Sequence, residues 1–305
     1  MGKLLFIWFV IYFLPRLKDW MTEKIFQHHG ERSSNTLCTT TSFPYVEKHN
    51  RQQCVRNNIK ITMIETNGEL IKMLEIKAHK LPKPQIQPLQ FFIAWHGVLT
   101  LVIKRWPTDI LQLKQEINDK CFPRQEENFG SKWPKVTLGA LRTEVSFTKN
   151  DYVKLNTICN RFQSILNENT SQLIPLESLS IVMMTCRSLE HYLVRIDIPF
   201  KGIRSEDDSE NNDSDSIVQS ILQEQNEESY SDKVIAPGNR DSHYTSLWTE
   251  STLVSFIPSD SQLDSIIKDF QKEIDNAFPN YYRWVDRQSL HVTLRSLDAR
   301  TGPKP

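Results

Sequence analysis

The chain has 305 residues, and its first signals are absences. Its five cysteines (Cys38, Cys54, Cys121, Cys159 and Cys186) are scattered and odd in number. None makes a Cys-x-x-Cys pair or a Cys/His spacing suited to zinc, so they read as buried or free thiols and not as a disulfide framework or a metal site. The nine glycines build no phosphate-cradling loop, and Gly139 in "TLGAL" stands alone. No apolar run reaches the roughly 20 residues that a membrane-crossing helix needs.

What the chain does have at its start is "LLFIWFVIYFL", Leu4–Leu14, eleven apolar residues between Lys3 and Pro15-Arg16. The length suits a signal-peptide apolar region, but no small-x-small cleavage site follows. Residues 1–26 therefore read as an uncleaved anchor or a helix dipping into one leaflet. The expectation is membrane association through residues 4–14, with a soluble, cytoplasmic chain as the alternative. Residues 27–58 are polar and irregular and read as a linker.

The composition, 39% hydrophobic and 24% charged, allows a real core. Formal net charge is zero, but it is unevenly spread. Residues 205–232 hold ten acidic side chains and no lysine or arginine; without them 37 basic face 27 acidic residues, about +10. That balance suits an anionic ligand. Residues 204–232 have the composition of a disordered insertion, with room for a short helix at Ser216–Gln223. Upstream, residues 59–76 read as a hairpin turning at Asn67-Gly68. The expected organisation is a first lobe at 59–203 and a second at 233–305.

The two lobes repeat one another. "LTLVIKRWPTDILQLKQEINDKCFP" (Leu99–Pro123) and "STLVSFIPSDSQLDSIIKDFQKEIDNAFP" (Ser251–Pro279) each pass from a Thr-Leu-Val strand through a Pro-Thr/Ser-Asp start to an amphipathic helix ending in Phe-Pro. Twelve residues beyond Pro123 stands Lys135 in "PKVTLGALR"; twelve beyond Pro279 stands His291 in "LHVTLRSL". Alternation along a strand puts Lys135 with Thr137, and His291 with Thr293 and Arg295, on one face each. The expected fold is α+β: two duplicated strand-helix-strand lobes about a pseudo-two-fold axis, with the Val-Thr-Leu strands meeting in a basic cleft. A histidine on each strand is suited to a phosphodiester, one imidazole taking a proton from the attacking oxygen while the other protonates the leaving oxygen.

The stretch "YYRWVDRQSLHVTLRSL" (281–297) resembles the His-x-Thr segment of the 2H phosphoesterase superfamily, which includes 2′-5′ RNA ligase-like proteins and cyclic phosphodiesterases. The resemblance implies a hydrolase needing no metal and no cofactor, acting on a 2′,3′-cyclic phosphate or 2′-5′-linked RNA end. It implies His291 as catalytic acid or base and Thr137 and Thr293 as phosphate contacts. Arg295 is a further candidate for clamping the phosphate. Lys135 takes the place of the second histidine. With an ordinary pKa of about 10.4 it is a cation at neutral pH and a poor base, and losing one arm of acid–base catalysis costs about 10²–10⁴ in rate. Hence the alternative: a non-catalytic, membrane-tethered nucleotide- or RNA-binding protein, or a scaffold. His96, His243, Arg142, Arg187 and Arg240 are weaker candidates. Only 14 residues follow His291, which leaves the second lobe short of strands.

Overall fold

The two Val-Thr-Leu strands carry β-branched and large aliphatic residues that stay buried only as central strands of a sheet. The computed structural model describes Ile64 and residues 67–297, less 124, 126, 128, 170–172, 203–212, 247–248 and 260–261. These residues belong to one unit running from Val55 onward. The apolar run Leu4–Leu14 and the linker 27–58 lie outside them.

In chain order the elements are α1 (Gly68–Ala78), β1 (Gln85–Ile86), β2 (Pro88–Ala94), β3 (Val98–Ile103), α2 (Thr108–Cys121), α3 (Phe129–Lys132) and β4 (Lys135–Leu141). There follow α4 (Lys149–Asn169), β5 (Ile174–Pro175), β6 (Ser178–Met184), β7 (Tyr192–Pro199), α5 (Asp213–Glu224), α6 (Tyr230–Ile235) and α7 (Asp241–Thr245). The last are β8 (Glu250–Phe256), α8 (Gln262–Ala277), β9 (Tyr282–Trp284) and β10 (His291–Ser296). This is a mixed α+β protein built on an eight-stranded sheet in the order β2-β3-β4-β10-β8-β6-β7, with β9 also on β4. Every pairing in that sheet is antiparallel.

Helical periodicity covers one face of the sheet. α8 buries Leu263, Ile266, Ile267, Phe270 and Ile274, a stripe at three- and four-residue spacing. Phe270 stacks on Phe91 of β2 at 4.0 Å, and Phe162 of α4 meets Phe91 edge-on at 5.9 Å. α4 starts at a capping box: the Asp151 amide donates to Thr148 Oγ1 (3.2 Å), and Asp151 Oδ2 accepts from the Thr148 amide (2.9 Å). At β9, a Cβ on Gly139 would stand 2.7 Å from the Trp284 ring, so only glycine lets that ring lie across β4.

Three expectations change. Residues 68–78 form a helix and not the second half of a hairpin. Leu70, Ile71, Leu74 and Ala78 are buried together, which a strand's alternation cannot do but a helix's period does. Residues 213–232, expected as a disordered insertion with room for a short helix at Ser216–Gln223, hold α5, which contains that helix, and the start of α6. Val218 and Tyr230 are almost wholly buried, and the Tyr230 hydroxyl donates to the Ile93 carbonyl (2.8 Å). A few well-spaced apolar residues thus outweigh an acidic composition. Finally, the strands missing from the second half are β6 and β7, which follow the first motif in sequence but extend the sheet beyond β8.

Because Tyr230 is a core residue, Tyr230→Ala should lower stability by about 3–5 kcal/mol, the range for a buried aromatic, read by urea unfolding. No loss would mean that this segment is not seated.

Candidate functional site

The junction of the two motif strands begins with two valines. Val136 of β4 pairs with Val292 of β10, and both are buried toward the helices. One step either side of that pair, the register puts Lys135 opposite Thr293 and Thr137 opposite His291. Since valine 136 and valine 292 point inward, these four side chains point to the other face, and all four are half-buried. Opposite positions in such a pair lie about 5 Å apart and diagonal ones about 7–8 Å. Lys135 and His291 therefore stand on one diagonal, with the two threonines on the other. Thr100 and Val102 flank them on β3, and Phe256 and Val254 on β8.

His291 is set by its own strand entry. Its Nδ1–H donates to the Ser289 carbonyl at 2.6 Å, which leaves Nε2 as the nitrogen with a lone pair. Burial lowers its pKa, against the opposing effect of that hydrogen bond, so the neutral, basic form is favoured. Ser289 is itself anchored: its hydroxyl donates to the Leu189 carbonyl (3.3 Å). Leu189, at φ +58 in the left-handed region, is buried against Val182, Met184 and Val254, so the loop between β6 and β7 folds over the open face beside His291. Glu190 pins that loop by accepting from Arg283 (2.6 and 3.2 Å) and from the Asp286 amide (3.0 Å).

Lys135 does not have the ordinary lysine pKa expected from sequence. Burial, with the Lys114 ammonium as a second cause, lowers it to about 7. The Trp133 ring lies 4.0 Å below Nζ and favours the ammonium, so it limits the shift. The amine therefore exists in both forms near neutral pH. It is suited to giving or taking a proton, as well as to neutralising a phosphate.

Lys114 was not legible as a site residue, although it breaks the apolar stripe Ile110, Leu113, Ile117 of α2. It is almost wholly buried and donates to Glu127 Oε1 (2.5 Å) and to the carbonyls of Ser131 (2.7 Å) and Leu294 (2.5 Å). Burial lowers its pKa, while Glu127 opposes the shift.

The structure does not bring Arg295 to the others. A bulge between Thr293 and Arg295 shifts the register, so Arg295 pairs with Leu253 and turns to the helical face. There it is buried, donating to Asn118 Oδ1 and to the Gln125 carbonyl (3.0 Å), with its guanidinium 4.5 Å from the Phe122 ring centroid. Strict alternation misplaced it because the sequence carries no mark of the bulge. His96 and His243 are engaged elsewhere. His96 Nδ1–H donates to the Ala236 carbonyl (3.3 Å). His243 Nε2 accepts from Arg187 (2.5 Å), and burial together with that cation brings its pKa to about 4. Arg240 donates to the His96 carbonyl (3.3 Å). Among the described residues no cluster of histidine, cysteine and carboxylate side chains is arranged to hold a metal. No described helix is long and apolar enough to cross a membrane.

Comparison with protein-family models, with curated proteins and with solved structures finds no match for this chain.

The lysine's depressed pKa has a sign that can be tested. Below pH 7 the folded protein carries the full penalty of a buried ammonium. Between pH 7 and 10.5 the unfolded chain binds the extra proton, so stability rises with pH across that window. Urea unfolding of wild type and Lys135→Met at pH 7, 8.5 and 10 should therefore show wild type gaining on the variant as pH rises. Parallel pH profiles would place the lysine in an ordinary, solvated setting.

Proposed function

We propose that this chain is a 2H-type phosphoesterase-like protein that acts on or binds nucleotide and RNA phosphodiesters, of the 2′,3′-cyclic or 2′-5′-linked kind. The single observation that carries the reading is the square of Lys135, Thr137, His291 and Thr293 on one face of the β4–β10 pair. The duplication is part of the same reading. It is supported by the strand order, in which β3 and β8, then β2 and β6, flank the central pair outward, and by α2 and α8 each following the matching strand.

In this reading His291 Nε2 takes the proton from the attacking water, and that water's oxygen bonds to phosphorus. The Lys135 ammonium gives its proton to the departing ribose oxygen as the phosphorus–oxygen bond breaks. Thr137 and Thr293 hold the phosphoryl oxygens. The remaining charge on Lys135 neutralises the phosphorane before the proton passes. A lysine poised near pH 7 is better matched to this role than one at its ordinary value.

A binding-only reading is favoured by one observation. The Trp133 face beneath Lys135 favours the fixed cation, which grips phosphate without exchanging protons. In that case the protein is a nucleotide- or RNA-end binder, tethered to a membrane if residues 4–14 anchor it.

Hydrolysis of 2′,3′-cyclic nucleotides and of 2′-5′-linked RNA separates the two. Wild type should turn over, and His291→Ala should lose about 10²–10⁴-fold. Lys135→His should raise the rate. An inactive wild type together with an active Lys135→His variant would select the binding reading. An activity that His291→Ala leaves untouched would sink the assignment.

A further inference from the structure

Beside the square of four residues, the same open face carries an arrangement that phosphate chemistry does not use. Phe256 of β8 stands directly opposite His291, and their rings meet edge-on with centroids 6.0 Å apart. The guanidinium of Arg195, from the edge strand β7, lies 4.0 Å from the centroid of the Phe256 ring. Arg195 reaches there across β6, where Val182 is its paired neighbour and Ser180 lies one position along the same face; both are buried. Adding the two ring distances puts the guanidinium within about 10 Å of the imidazole.

The plane of that guanidinium is held in place. Its Nε donates to Asp197 Oδ1 at 2.7 Å, and the same oxygen accepts from the Ser180 hydroxyl at 2.5 Å. The guanidinium carbon therefore sits over the Phe256 ring, and its Nε is bonded to Asp197. Among the described residues no hydrogen bond engages Nη1 or Nη2. What remains for a ligand is the outer face and two N–H-bearing nitrogens. Asp197 offsets the charge, so the group is less suited to gripping a bare anion than a solitary arginine. A flat, delocalised, weakly hydrated plane is instead suited to stacking, which every nucleobase offers. Terminal N–H groups at the edge of such a plane can also meet a base carbonyl.

We propose that Arg195, stacked on Phe256 and pinned by Asp197, is a nucleobase-binding shelf for the nucleotide whose phosphate sits over Lys135 and His291. This assignment rests on the phosphodiester reading of the neighbouring site. The shelf recognises the presence of a base more than its identity, because the stacking surface is common to all four bases. Phe256 is a positioning residue that keeps the guanidinium flat, while Arg195 touches the ligand.

Calorimetric titration of the full chain with two probes tests this: 2′,3′-cyclic AMP, and the methyl riboside 2,3-cyclic phosphate, which lacks a base. His291→Ala is used as background if turnover interferes. Wild type should bind the cyclic nucleotide on the order of 10- to 100-fold more tightly than the base-free probe, the worth of one stacked base. Arg195→Lys keeps the charge but loses the plane. It should erase that advantage and leave the base-free affinity unchanged. Phe256→Leu should reduce the advantage in the same way, and the surface position of Arg195 keeps the test valid if Phe256→Leu does not fold. Equal weakening of both probes by Arg195→Lys would mean that Arg195 grips the phosphate, and would overturn the shelf. Equal wild-type affinity for the two probes would overturn it as well, with the phosphate site intact. A wild type that binds neither probe would remove the phosphodiester reading, and the shelf with it.

Discussion

The pairing of Val136 with Val292 is the contact on which the candidate site depends. Each valine is buried on the helical side, worth about 1.5–3 kcal/mol apiece on transfer grounds. Burying them forces their sequence neighbours to the opposite face. A slip of one residue in either strand would turn the polar set inward and the valines outward, so the hydrophobic cost of the slip holds the polar geometry in register. Four side chains from positions more than 150 residues apart are thereby aligned by apolar residues that take no part in any chemistry.

Around that junction, the same groups that hold the fold also tune the site. The bulge in β10 takes Leu294 out of its ladder, and the Leu294 carbonyl instead accepts from Lys114. Lys114 is thus fixed beneath the strand, where its charge adds to the burial that depresses the Lys135 pKa. On the other side, Ser289 joins the loop at Leu189 to the imidazole of His291, accepting from the ring through its carbonyl and donating through its hydroxyl. The basicity of both arms is therefore set first by burial, with the Ser289 carbonyl acting on His291 and the Lys114 charge on Lys135.

Much of the framework was legible because it is local. The apolar spacing of 262–277 and 108–121 and the repeated Val-Thr-Leu strands depend only on neighbours in sequence. The failures were also instructive. "GELIKMLEIKA" fits a strand run or a helix stripe, and only the presence of a sheet face to cover decides between them. The acidic segment hides Val218 and Tyr230 among charges that dominate its average composition. Arg295 was misplaced by a bulge that no residue type announces.

By itself the sequence determined that Lys135 and Thr137, and likewise His291 and Thr293, share a strand face, because alternation is a property of the backbone. It also determined that two strand-helix-strand units recur with the same spacing to those strands. Only the tertiary structure decided that the two strands are direct antiparallel neighbours, that the lysine is half-buried on Trp133, and that Arg195 crosses β6 to lie on Phe256. Those are long-range facts. They follow from how a sheet buries its valines and folds a loop across its open face, and no local pattern encodes which distant strand will lie alongside.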